Sequence, residues 1–529
     1  MRQGNGAEGD WFRPLRLITS ALLFVFLLTV VALSATTGMA SNNLPKYIDE
    51  YAVPTSNSAP LAITVGKNGM VWFTESNATK LGTFDPTNKT FKEYSVPGVG
   101  DMWGVTVDQS GYVWLTQYSG KGSVNPGGAI VPGGHGHLLR FNPVSGNFTS
   151  IDIPTEGSFP FRLIADDAGR IWFTELLGNK IGVYDPLSNR LEEYNVPSYF
   201  AGPADLTFDR HGNLWFTEAY NESVAEFQPL TKTFVEYHLS TTDPSRFVAS
   251  PVGIAIAQDG EVWFADHGGN WIVQFNPASK ALTRYPTSAP SGYSYGVAIP
   301  NGLLIDGHGR IWFCEHWGNR IGYFDPGTQT MVEFPIPTGP ISTALWIAQA
   351  PNGDIWLTEW SANNIGVLPA NPSVPFSVGV SKDNLSLAAG ENTGLSLLTN
   401  TTPKVAGNGT FTYSWSSYNP SEVGVAFSPD PYPSLAGPTG KTSEAEIKAS
   451  SSVSPGNYTL AIGIDAGAVR VSSMVQIQVT QKGRSIAFPG TTVVLYLAPL
   501  LAVAVGVLLL RRKFREAAKG RQSTQSNVI

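Results

Sequence analysis

The sequence predicts an all-β chain: a seven-bladed β-propeller, then a β-sandwich of the immunoglobulin-like kind, then a C-terminal transmembrane helix. Three observations carry this. First, a phrase of Gly, two residues, Trp, Phe or Leu, one residue and an acid recurs from Gly69…Trp72…Glu75 to Gly353…Trp356…Glu359, with Gln117 replacing the acid in the second of seven copies. The Trp-to-Trp intervals are 42, 58, 43, 48, 49 and 44 residues, the size of one four-stranded blade. Second, the repeat stops after Pro375 and short alternating strands follow. Third, 26 uncharged residues run from Ser485 to Leu510, enough to span a bilayer.

Each repeat reads as four strands. In residues 158–197, Phe161-Arg-Leu-Ile-Ala165 is the inner strand and Ala168-Gly169 the turn. Arg170–Glu175 is the second strand, Lys180–Asp185 the third, and Leu191–Val196 the outer one. β-branched and aromatic residues favour such pleated surfaces, and Gly, Pro and Asn mark the turns. The outer-strand phrase recurs as Phe91-Lys-Glu-Tyr94, Phe234-Val-Glu-Tyr237 and Met331-Val-Glu-Phe334, but is missing after Ile365-Gly-Val-Leu368. It stands instead at Ile48-Asp-Glu-Tyr51-Ala-Val53. The amino-terminal strand is therefore expected to complete the seventh blade, which leaves the ring no open edge.

Beyond the ring, Phe376–Val380, Phe411–Trp415, Tyr458–Ile464 and Val475–Val479 alternate strictly and predict a sandwich, read as a stalk lifting the propeller off a membrane. The boundaries are 1–40 for a signal peptide or N-terminal membrane anchor, 46–370 for the propeller, 373–482 for the sandwich, 485–510 for the transmembrane helix and 511–529 for a basic cytoplasmic tail. Arg2, Arg13 and Arg16 precede the first apolar run, and Arg511, Arg512, Lys513 and Arg515 follow the last. Basic flanks stay cytoplasmic, so the expected location is the cell membrane, single-pass after signal cleavage, with propeller and sandwich extracellular. Eight Asn-x-Ser/Thr sequons fall in that outer part. The formal net charge of −7 argues against nucleic acid as a partner. The single cysteine, Cys314, stands where five repeats carry Thr, as a small buried filler.

The phrase Trp-Phe-Thr-Glu, followed by Asn-x-Ile-Gly as in Asn179-Lys-Ile-Gly182, resembles the streptogramin (virginiamycin B) lyases, a seven-bladed propeller family, over about residues 46–370. The resemblance implies an elimination that opens a cyclic depsipeptide, a magnesium ion held by acidic residues at the rim, and a histidine as general base. That histidine belongs eight residues before the turn glycine, in a Pro-His-Gly/Ala-Ile setting. Here the row reads Leu61, Trp103, Phe161, Ala204, Val252, Asn301 and Leu345, with proline before five of them. None takes a proton near neutral pH, as a general base must.

The acids six residues after the turn glycine remain: Glu75, Glu175, Glu218, Asp266, Glu315 and Glu359. They read either as caps on backbone N–H groups that lock blade to blade, or as a ring at the channel mouth relieved by Mg²⁺ or Ca²⁺. A metal would take Glu315, Glu359 and Glu75. By strand alternation, Leu61 is expected to face Glu75 and Asn301 to face Glu315. Blade two carries 15 extra residues within Tyr118–His137, a Gly-rich insertion that brings His135 and His137 to the same rim. Arg162 and Asp205 occupy equivalent positions in adjacent blades and are expected to pair. The ligand-binding rim is thus His135, His137, Trp103, Arg162, Asp205 and Asn301. The favoured function is a surface recognition module for an extracellular peptide, glycan or small molecule, without a catalytic residue. The alternative is a metal-dependent carbon–oxygen lyase or hydrolase working through Asn301, Glu315 and His316.

Overall fold

The computed structural model describes residues 46–481, apart from 121–122, 125–129, 132–133, 240–249, 289–297, 341, 402–408, 417–419, 430–434 and 436–439. The amino-terminal apolar segment, the expected membrane helix and the basic tail lie outside the described residues. Among the described residues, no helix is long and apolar enough to cross a membrane. The described residues through Thr480 form one compact unit.

Seven four-stranded antiparallel units succeed one another along residues 49–368. In the first, Pro60–Val65 is innermost, followed outward by Val71–Glu75, Lys80–Asp85 and Thr90–Ser95. Each inner strand packs on the inner strands of its two neighbours, and the last, Ala344–Gln349, returns to the first. The ring closes as expected: Asp49–Ala52 pairs antiparallel with Asn364–Leu368, from Asp49 opposite Val367 to Ala52 opposite Asn364.

Local chemistry repeats from blade to blade. Gly169 has φ +80° and open space where a Cβ would sit, so the left-handed backbone, not crowding, selects glycine at the first turn. At Gly182 the opposite holds: a Cβ would lie 2.1 Å from the Phe173 ring, which presses flat on the third strand. In four blades the Trp indole N–H donates to an aspartate six residues earlier, as in Trp114 to Asp108 (2.8 Å) and Trp312 to Asp306 (2.8 Å). The other carboxylate oxygen of Asp108 accepts the turn amides of Ser110 and Tyr112.

The inner hairpins differ in one respect from simple alternation. Glu75 lies opposite Pro60, and Glu315 opposite Pro300; the register then slips before Ile63 and Leu303. Leu61 and Asn301 therefore sit in a bulge and do not face the acids. The Thr of the repeat fills this bulge: Thr174 Oγ1 accepts the Arg162 N–H at 3.1 Å and donates to the Ala204 carbonyl of the next blade at 2.7 Å. Thr217 to Val252 and Thr358 to Leu61 repeat the stitch. A bulge re-aims side chains at a barrel or sheet rim; here it also exposes the carbonyl that joins blade to blade.

After the ring, two four-stranded layers face each other. One contains Phe376–Val380, Asn392–Thr401, Lys441–Ala449 and Val423–Ser428; the other contains Asn384–Ala388, Arg470–Thr480, Gly456–Asp465 and Thr410–Trp415. The sandwich joins the ring at the outer edge of blade six. Its strand Arg470–Thr480 pairs antiparallel with the outer strand of blade six, from Thr330 opposite Ser473 to Glu333 opposite Arg470. The two sheets are one continuous surface of eight strands. A single apolar core runs through the seam, from Trp312, Val332 and Phe334 to Phe376, Leu460 and Val471. Covering an edge strand this way removes its unpaired backbone groups.

Candidate ligand-binding rim

Most of the repeated acids are buried against the outer strand of their own blade, in an interior latch whose outer acid makes the bonds. Each is surrounded by groups from the third and outer strands of its own blade. Beside Glu75 stand Glu93 and Lys80; beside Glu175, Glu193 and Lys180; beside Glu359, Glu50. The outer-strand partner accepts a backbone N–H from the linker arriving from the preceding blade. Glu93 takes Thr55 (3.0 Å), Glu193 takes Thr155 (3.2 Å), Glu236 takes Ser198 (2.9 Å), Glu333 takes Ser288 (2.8 Å) and Glu50 takes Thr338 (2.7 Å). The outer acid is the one that caps, and sequence reasoning assigned that role to its neighbour. A constant offset of 18 residues, as in 75 to 93 and 315 to 333, was the signal that could have found the pair.

Two carboxyls this close, away from water, cannot both ionise cheaply. Burial, then the adjacent Glu93, pushes Glu75 up to about 7. Burial, then the adjacent Glu193, pushes Glu175 up to about 9. Glu218 and Glu359 rise to about 8, and Glu315 well above the carboxylate range, burial being the main cause in each. Blade five replaces the pair with Asp266 and Arg284, and in blade two Gln117 donates to the Pro97 carbonyl. Glu75, Glu315 and Glu359 each lie beside an outer-strand acid of their own blade, Glu93, Glu333 and Glu50. Among the described residues, no group of three or more His, Cys, Asp or Glu could hold a metal ion.

The row that would carry the base is a plug. Leu61, Phe161, Ala204, Val252 and Leu345 are buried in one cluster with Trp346. Asn301 is buried too, and its Nδ2 donates to the Leu345 carbonyl at 2.5 Å. That is the stitch a Thr makes elsewhere; blade six has Cys314 at the Thr position, and Asn301 takes over. Arg162 Nε meets Asp205 Oδ1 at 3.2 Å, as expected. The same guanidinium lies 3.9 Å from the Trp346 ring centroid.

Half-buried rings, Trp103, Phe159 and Phe200, pack against buried ones at this rim. Trp103 packs on Phe159 (5.2 Å between centroids) and Phe161 (5.4 Å), Phe159 on Tyr118 (4.9 Å), and Phe200 on Tyr220 (5.1 Å). Tyr199 beside them is 91% exposed. Sequence reasoning found Trp103 but missed Phe159, Phe200, Trp346 and Trp360, which lie outside the repeated phrase. The expected histidines belong to the third strand of blade two and the residue leading into it. His137 is in the third strand of blade two, opposite Gln117 and bonded to Asp152 at 2.9 Å. His135 precedes that strand, exposed, and its carbonyl accepts the Ser119 N–H. The insertion itself includes a small hairpin, Ser123–Val124 with Ile130–Val131. His316 is buried beside His267. A cleft of about 640 Å³ lies away from the rim, between blade five and the sandwich, lined by Arg284, Asn384, Asn457 and Gln476.

Comparison with known proteins agrees with the ring. Residues 135–298 match the model of the virginiamycin B lyase family. A streptogramin B lyase structure is 27% identical, with a TM-score of 0.51 over 61% of this chain and 98% of that one. Virginiamycin B lyase from Staphylococcus aureus, as the selenomethionine-substituted protein and as a catalytically inactive His-to-Ala variant with quinupristin, is 24% identical, with the same score and coverage. No curated protein sequence matches the chain significantly.

Proposed function

We propose that this virginiamycin B lyase-like propeller is a recognition module whose rim captures an apolar or aromatic ligand, without chemical turnover. One observation carries the reading. The inner-strand row that needs a proton acceptor holds Leu61, Trp103, Phe161, Ala204, Val252, Leu345 and an Asn301 already committed to the Leu345 carbonyl. Half-buried rings around an apolar floor, with one charged pair to orient a polar group, are the composition of a binding site. The apolar segments at both ends, each with basic residues on one flank, support display at a cell surface by a single membrane helix. The ring-lined floor supports an extracellular peptide, glycan or small molecule as the partner, with its apolar parts packed on the rings.

The second reading is a magnesium-assisted lyase, favoured by the family match over residues 135–298 and by the streptogramin B lyase likeness. The experiment that separates them incubates the purified full chain with a streptogramin B depsipeptide and magnesium, and follows ring opening by chromatography and binding by tryptophan fluorescence. Binding without ring opening, weakened by Trp103→Ala, is the expected result. Ring opening that disappears in Glu315→Gln establishes the enzyme instead.

A further inference from the structure

Two buried imidazoles stand side by side at the junction of blades five and six, and neither the rim reading nor the blade latch uses them. His267 and His316 occupy the same position in consecutive repeats, seven residues after Gly260 and Gly309. Their ring centroids lie 5.8 Å apart, at 43° between planes. The backbone holds both in place: the His267 N–H donates to the Ser250 carbonyl and the His316 N–H to the Ile299 carbonyl, each at 2.9 Å. His316 is 2% exposed, and its Nδ1 is buried without a hydrogen-bond partner. His267 is 9% exposed and forms the more accessible side of the pair.

An unpaired ring nitrogen in a sealed site costs free energy, which a ligand would offset. Both rings are buried, and neutral imidazole is the form that ligates a metal ion. The spacing fits a shared ion. A zinc–nitrogen bond of about 2.1 Å places a metal about 3.2 Å from each ring centroid, so rings on one ion stand about 5–6.4 Å apart. Imidazole suits copper, zinc and nickel, and copper binds nitrogen donors most strongly among the divalent first-row ions.

We propose that His267 and His316 form a two-histidine site for one late first-row transition ion, copper foremost, with water filling its remaining positions. Asp266, adjacent in sequence to His267, supplies negative charge while its Oδ1 accepts the Ser250 and Gly268 amides at 3.2 Å. The site differs in position and ligand class from a magnesium site made of carboxylates, and does not depend on what the apolar rim binds.

The test titrates the purified full chain with copper(II) chloride, and separately with zinc chloride, against a chromophoric chelator. Electron paramagnetic resonance of the copper sample reads the donor atoms. The expected result is one ion per chain, nitrogen hyperfine splitting from two imidazoles, and at least a tenfold loss of affinity in His267→Gln and in His316→Gln. Magnesium chloride should not compete, and the blade-two substitutions His135→Gln and His137→Gln should leave binding unchanged. Circular dichroism confirms that each variant is folded. Stoichiometric binding that persists in the folded double His267→Gln/His316→Gln variant, or that is lost in His135→Gln/His137→Gln, overturns the proposal. So does a wild-type chain that takes up no ion.

Discussion

Arg162 and Asp205 meet at 3.2 Å across the boundary of blades three and four, 14% and 9% exposed. Asp205 is held a second time, its other oxygen accepting the Ile254 N–H of blade five. One carboxylate therefore ties three consecutive blades. Burial pushes the Asp205 carboxyl above its ordinary range, while the Arg162 guanidinium works against that shift. Removing one partner leaves the other sealed and unpaired. Asp205→Asn is expected to cost about 3 kcal/mol of stability in urea denaturation, with part recovered in Arg162→Met/Asp205→Asn. A single-variant loss below about 0.5 kcal/mol, the ordinary size for an inconsequential surface change, would show that the pair is not a structural determinant.

Asn301 and Cys314 are one solution to one problem. In four blades the Thr hydroxyl bonds the next blade's carbonyl; in blade six the Asn301 amide does so at Leu345. Asn301→Ala should destabilise by about 1–3 kcal/mol, because a buried carbonyl loses its donor. Adding Cys314→Thr should restore most of it. Thermal melts of the two variants give the answer; no rescue by Thr means that Asn301 is held for another reason.

The paired carboxyls make stability depend on pH in an unusual direction. Glu75, Glu175, Glu218 and Glu359 have folded-state values raised to about 7, 9, 8 and 8. The folded chain binds these protons where the unfolded chain has released them, so the stabilisation is complete below the unfolded value of about 4.5 and is lost as pH rises. The melting temperature should fall between about pH 5 and pH 9. Glu175→Gln, which cannot ionise, should flatten the upper part of that decline. A melting temperature that rises steadily through this window in the wild type contradicts the latch chemistry.

Arg470 carries the sandwich into the same chemistry. It lies 3.4 Å from Glu333, and Arg320 lies 3.1 Å from Asp465, so charged groups cross the seam in both directions. Arg470→Met is expected to cost about 3–5 kcal/mol by leaving Glu333 buried without its cation. Ending the chain at Pro375 uncovers the Thr330–Glu333 edge and the apolar side of Val332. That shortened propeller should self-associate in size-exclusion chromatography; a stable monomer would mean that the sandwich is dispensable for solubility.

The repeat determined the number of blades, the turn glycines, the closing strand and the Arg162–Asp205 pair, because each follows from a fixed offset within a period or from equivalent positions in adjacent periods. Four things were decided only in three dimensions. The bulge after Pro300 shifts Asn301 away from Glu315, and a one-residue slip is invisible in a pattern that reads only alternation. The role of the acids depended on which strand each side chain meets, and Glu93 lies two strands from Glu75. The rim aromatics Phe159, Phe200 and Trp346 come from different blades and share no sequence spacing. The sandwich joins blade six because Arg470–Thr480 completes an edge more than a hundred residues away. Local periodicity specifies elements; long-range edge pairing and the burial of charge beside charge are properties of the assembled surface alone.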